Sequence, residues 1–223
     1  MSTVPIRKII IKTPPAGDVK MYDVTKIKAF LHLTDSSEDD LIDLVGQVAW
    51  KSVEAYTGLT LATQTVVQVM EGFPTDFSRH WWDGVVEMSR RAFDCGSLEL
   101  LPRPVRDNSV IITTYDDTDT GTVYPSTEYH VQNVNQNAHP AVIMLKRGAS
   151  WPLALRSYQP IEIQMDVGYG TTFDSLPADI RHAITLLAAY LFDHRGECDC
   201  AEAAIPNTLA GSILSKYKAL FLR

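Results

Sequence analysis

The chain has 223 residues, 45% of them hydrophobic, with 20 Lys and Arg against 27 Asp and Glu and a formal charge of −7. That length holds one large domain, or a smaller body carrying an inserted subdomain, and the composition is that of a folded protein. The acidic balance argues against broad nonspecific DNA binding, which needs clustered Lys and Arg to displace counterions. It leaves open a wall that faces DNA without gripping it.

Cys95, Cys198 and Cys200 are an odd, sparse set, so no disulfide framework is expected and a reducing compartment, the cytoplasm, fits. The start Met1-Ser2-Thr3-Val4-Pro5 lacks the layout of a signal peptide. The longest apolar stretch, Ile184 to Phe192, is too short for a membrane span.

Residues 1–22 read as an arm. Ile9-Ile10-Ile11 forms a short strand between breakers at Pro5, Pro14, Pro15 and Gly17, and must add to another edge, in cis or on a neighbour. A first helix follows from Val24 to His32, capped by Asp23. Ser36 or Ser37 is the expected cap of a second helix whose first turn is Glu38-Asp39-Asp40. Those carboxylates complement the helix dipole, and a metal reading would need further ligands from elsewhere. The second helix carries two apolar stripes. Leu41, Leu44, Val48 and Ala55 form one; Ile42, Val45, Ala49, Val53 and Tyr56 form the other. So wide an apolar arc implies burial on more than one side, part of it against another subunit. Gly58 stops the helix.

From Leu61 to Gly170 the pattern turns to strands: 66–70, 98–100, 110–115, 129–131, 141–145 and 161–167. The alternation of Ile161 to Val167 predicts one buried and one wet face. A small antiparallel sheet, as a sandwich or partly open barrel, is expected. Residues 73–97 set Phe73, Phe77, Trp81, Trp82 and Phe93 among Arg79, His80, Arg90 and Arg91. That is too aromatic for a solvated loop: it packs on the sheet or forms a protein interface through Trp81, Trp82, Arg90 and Arg91. A helix from Pro177 to about Gly196 buries Ile180, Ala183, Ile184, Leu187, Tyr190 and Leu191. After a polar linker, Asn207 caps a last amphipathic helix with Leu209, Ile213, Leu214, Tyr217, Leu220 and Phe221, ending at Leu222.

No cofactor, metal site or catalytic set emerges from these residues. His194, Cys198 and Cys200 lack the second ligand pair of a structural zinc site. Gly148-Ala149-Ser150-Trp151-Pro152 is not a nucleophile elbow, and Gly168-Tyr169-Gly170-Thr171 lacks the ending of a phosphate loop. The acidic loop Asp116-Asp117-Thr118-Asp119 lacks the calcium-loop register. A hydrolase built on His130 or His139 is the remaining enzymatic alternative, without a constellation to support it.

The fold class expected is α+β. A helical body, 23–60 with 171–223, is joined to an inserted antiparallel β subdomain, 61–170. The order of signals resembles the head–tail connector, or adaptor, proteins of long-tailed bacteriophages, prophages and gene-transfer agents. The matching pieces are Val24-Thr25 with Ala29-Phe30-Leu31-His32-Leu33, Asp39-Asp40-Leu41-Ile42, and Val53-Glu54-Ala55-Tyr56-Thr57-Gly58 with Thr63-Gln64-Thr65. They continue with Leu100-Leu101-Pro102-Arg103-Pro104, and Gly168-Tyr169-Gly170 before Leu176-Pro177-Ala178-Asp179-Ile180-Arg181-His182-Ala183-Ile184. The resemblance spans about residues 20–195; the arm and the aromatic segment lie outside it. It implies a non-enzymatic virion protein of the neck. The expected assembly is a twelve-fold ring that meets the portal protein on one side and a stopper or tail-completion protein on the other. DNA would pass through it without specific binding. A stopper or tail-terminator subunit is the alternative within the same neck. By the same resemblance the terminal helix, 205–223, docks on the portal through Leu214, Tyr217 and Phe221.

Overall fold

The computed structural model describes residues 7–17, 19–73, 98–106, 109–136, 139–194 and 209–218. Asp23 caps α1 (Val24–Leu31) as its sequence position predicts: Oδ1 accepts from the backbone N–H of Thr25 at 2.9 Å and of Lys26 at 3.3 Å. The cap of α2 (Asp39–Thr57) differs from the expectation. The helix starts one residue later, on Glu38, whose side chain makes no capping bond. Ser37 is engaged elsewhere, its hydroxyl donating to Asp35 Oδ2 at 2.6 Å and its N–H to Asp35 Oδ1. Asp39 and Asp40 do occupy the first turn, and Gly58 ends the helix at φ 66°. The next long helix, α3 (Ala178–Asp193), follows Pro177 and ends at His194, two residues before Gly196. There the imidazole Nδ1 donates to the Tyr190 carbonyl at 3.0 Å and the ring stacks on Tyr190.

The chain divides into two compact units. The helical unit takes residues 15–64, 137–139 and 167–223. Its core joins Ile27 of α1 and Ile42, Ala49 and Val53 of α2 to Ile180, Ala183, Ile184, Leu187 and Ala188 of α3. Met21 and Tyr22 belong to this core, so the tail of the stretch read as an arm is part of the helical unit. The second α2 stripe points inward; of the first, Leu41 packs against the core while Leu44, Val48 and Ala55 are exposed.

The β unit takes residues 1–14, 65–136 and 140–166. It holds two sheets rather than one. Five strands run in the order β1 (Arg7–Thr13), β2 (Gln64–Met70), β8 (Ile161–Val167), β4 (Ile111–Tyr115), β5 (Gly121–Val123). Three run in the order β3 (Leu98–Leu100), β7 (Ala141–Leu145), β6 (Tyr129–Gln132). β1 pairs in cis, antiparallel to β2, with Ile10 opposite Val67. β8 alternates buried and half-buried residues along its whole length, the two-residue period of its sequence. Buried Gln68 ties β2 to β3: its amide donates to the Glu99 carbonyl at 3.0 Å and accepts from the Leu101 N–H at 2.9 Å. A side-chain amide thus takes the place of a neighbouring strand for two backbone groups.

The acidic loop is a turn that uses its own carboxylate. Asp116 Oδ1 accepts from the Thr118 N–H, the Thr118 hydroxyl and the Thr120 N–H. Among the described residues no helix is long and apolar enough to cross a membrane.

Candidate assembly surfaces

Within the described residues the terminal helix ends earlier than its periodicity predicts. A helix, α4 (Leu209–Leu214), gives way to a 3₁₀ turn, Ser215–Tyr217, and Lys218 is extended. Ser215 Oγ donates to the Ser212 carbonyl at 2.7 Å, a local side-chain bond that competes with helix continuation. Leu214 and Tyr217 are both buried in the helical core, with Ala210 beside them. Phe221, the third proposed portal anchor, lies outside the described residues, as does Asn207. In this conformation Leu214 and Tyr217 hold the segment down, while Leu209, Ser212, Ser215 and Lys216 face outward.

Charge fastens the same segment. Lys216 Nζ pairs with Asp179 at the start of α3, and the Tyr217 hydroxyl donates to the same carboxylate at 3.4 Å. Donation from Lys216 holds the Asp179 carboxyl below its ordinary range. Burial pushes the Tyr217 phenol up. Lys218 Nζ lies 4.8 Å from the Tyr56 ring centroid, a cation–π contact to α2. Asp174 is anchored in the same way, by Lys26 at 2.5 Å and Arg181 at 2.9 Å, and is also pulled down.

Of the aromatic segment, Phe73 is described. It stacks on Trp151 at 4.1 Å and 8°, with Tyr124 tilted 5.3 Å from the same indole. Trp81, Trp82, Arg90 and Arg91 lie outside the described residues.

Two apolar surfaces are exposed among the described residues. On α2, Leu44 and Val48, two members of the first apolar stripe, are exposed in line with Asp40 at four-residue spacing. On β1, Ile9, Ile10 and Ile11 are all exposed on an outer strand of the five-stranded sheet. Isoleucine repetition marked the strand, but the sequence could not say that it would take the end position in the sheet order of the described strands.

The titratable groups bear the stamp of structure. Asp35 and Asp174 are exposed, Asp116 and Asp179 half-buried, and all four are shifted down by hydrogen-bond donors. A general acid needs the opposite shift. Tyr22, Tyr115, Tyr124 and Tyr129 are shifted up, in each case chiefly by burial. His130 is an exposed residue of β6 and His139 an exposed residue of the helical unit. Among the described residues no cluster of three His, Cys, Asp or Glu side chains could hold a metal.

The protein is thus of the α+β class, a helical unit and a two-sheet unit interleaved along one chain. No family model matches it, and no curated protein does. Solved structures do match in fold over nearly the full length. A chain from the neck of an empty gene transfer agent (GTA) particle, computed with C6 symmetry, has TM-score 0.66 at 18% identity and covers 97% of each chain. A chain from the virion of a native GTA particle has TM-score 0.63 at 18% identity, covering 96% of this chain and 97% of that one. A chain from the neck of a native GTA particle, computed with C12 symmetry, has TM-score 0.61 at 18% identity, covering 96% and 98%.

Proposed function

We propose that this chain is a non-enzymatic structural protein of the neck of a phage-like particle, the adaptor subunit of a ring that joins portal to tail. The observation that carries the reading is the full-length fold likeness to chains in GTA necks computed with C6 and C12 symmetry. The helices at both ends of the chain favour an adaptor over a β-dominated stopper or tail terminator. The acidic balance suits a conduit: a wall of net negative charge repels phosphates, so DNA slides rather than sticks. Portal contact runs through the terminal segment, with Leu214 and Tyr217 seating it and Leu209, Ser212 and Lys216 offered to the partner. Imaging purified particles in which the chain carries a fused label tests the assignment. Label at the head–tail junction is the expected result; label along the tail tube, on the capsid, or absent from particles overturns it.

A further inference from the structure

The terminal segment owes its order to the surface beneath it. α4 has six residues, with Gly211 and Ser212 inside it. A helix that short is not stable in isolation. It is held where Leu214 is fully buried and Tyr217 is 8% exposed, in the core built with α3. The polar ties go to the same surface. Lys216 and the Tyr217 hydroxyl meet Asp179 in the first turn of α3, and Lys218 meets the Tyr56 ring of α2. These holding groups belong to α2 and α3, so a second copy of the chain offers an identical set.

The connection to that segment is longer than a return within one chain requires. Between His194, which ends α3, and Leu209 lie 14 residues, 195–208. Packed helix pairs are commonly joined by about 2–8 residues. The 16 residues of α3 span about 24 Å at about 1.5 Å per residue. Returning along all of that length takes about eight extended residues. The full connection reaches about 50 Å when extended. A compact unit of about 100 residues has a radius of gyration of about 13 Å, hence a diameter of about 34 Å. The connection is therefore long enough to cross to the next copy.

We propose that the terminal segment is exchanged between copies in the assembled ring. Residues 209–218 of one copy sit on α3 of the next, with Leu214 and Tyr217 in the next copy's helical core and Lys216 on its Asp179. The occupant of this surface is the one whose fit the fold already displays within a single chain. Exchange replaces each contact by its exact copy, which makes it a low-cost route to association. Each copy gives its segment to one neighbour and receives one from the other. The contact is thus head to tail and closes into a ring when the rotation allows. The proposal rests on the ring reading above and names the contact that would link its subunits. Leu209 and Ser212 stay on the outer side of the segment, open to the portal.

The test uses the native chain, so no variant has to fold. Ordinary and heavy-nitrogen preparations are mixed in equal amounts before assembly, alone and with the portal ring of the same particle. A water-soluble carbodiimide then joins Lys216 to the Asp179 that it touches, with no spacer, and the joined peptides are weighed by mass spectrometry after digestion. Monomer fractions should give joined peptides that are wholly ordinary or wholly heavy. Ring fractions should give mixed-isotope peptides as half of the joined product, the share that random exchange between neighbours produces. A ring of the right mass whose joined peptides each carry one isotope overturns the exchange and leaves the adaptor reading standing. Mixed-isotope peptides confined to a two-chain species mean reciprocal exchange and overturn the head-to-tail contact. A chain that stays monomeric alone and with portal overturns both readings.

Discussion

Replacing Gly168 by alanine should be the most damaging single-methyl change in the helical unit. Gly168 sits at φ 106°, where the chain leaves β8, and a Cβ built there would lie 2.4 Å from the Ala62 carbonyl oxygen and 2.7 Å from its carbon. Those atoms cannot step aside cheaply. The Tyr169 N–H donates to the Leu61 carbonyl at 2.9 Å and the Thr63 N–H to the Gly170 carbonyl at 2.8 Å, locking the two segments side by side. Positive φ on a residue with a Cβ costs of order 1–3 kcal/mol, and forcing a methyl into packed atoms costs about 1–3 kcal/mol more. Lower unfolded-state entropy returns only about 0.4–1 kcal/mol. The net loss should be about 3 kcal/mol. Two controls separate the causes. Gly58, at φ 66° with open space around its Cβ position, carries backbone strain alone, so Gly58→Ala should lose about 1 kcal/mol. Gly72, with open space and no left-handed φ, should lose nothing beyond about 0.5 kcal/mol. Urea unfolding followed by helical circular dichroism measures all three, with the slope checked for constancy. A Gly168→Ala loss under about 1 kcal/mol, or one smaller than that of Gly58→Ala, would refute the reasoning.

Leu214→Ala should cost about 2–5 kcal/mol and raise hydrogen exchange in α4, while Leu209→Ala, on the exposed side, should cost little; equal losses would contradict the packing of the segment. Gln68→Ala should cost about 1–3 kcal/mol for the hydrogen bonds it removes, read by thermal unfolding against Gln47→Ala, a control at an exposed glutamine of α2. Asp174 and Asp179 have folded pKa values below the ordinary 3.8, each chiefly through a lysine hydrogen bond. Their contribution is therefore present above pH 3.8 and lost as pH falls through the depressed folded values. The Asp174→Asn/Asp179→Asn variant should show a shallower fall in stability at acid pH than the parent, and parallel curves would remove these carboxylates as the cause.

Much of this architecture was legible because local chemistry and tertiary packing agree. Asp23 caps where its sequence position says, Gly58 stops α2, and the alternation of β8 survives intact. What escaped depended on competition between neighbours. Ser37 looked like a cap but Asp35 takes its hydroxyl, and the last helix breaks where Ser215 bonds back to Ser212. β5 was invisible as a strand because Gly121-Thr122-Val123 is too short and exposed to show a period; its pairing with β4 defines it. The role of Leu214 and Tyr217 was ambiguous for a simple reason. An amphipathic stripe announces burial without naming what buries it, and here α3 does so within the chain. The open stripe of α2 was readable as a second apolar face, yet only the fold separates it from the buried one.

The most direct test of the neck assignment is the mass of the purified chain by light scattering after size exclusion, alone and mixed with the portal ring of its own particle. A discrete ring, or a monomer that joins the portal in fixed stoichiometry, is the predicted result. A monomer whose elution and mass are unchanged by portal would contradict it.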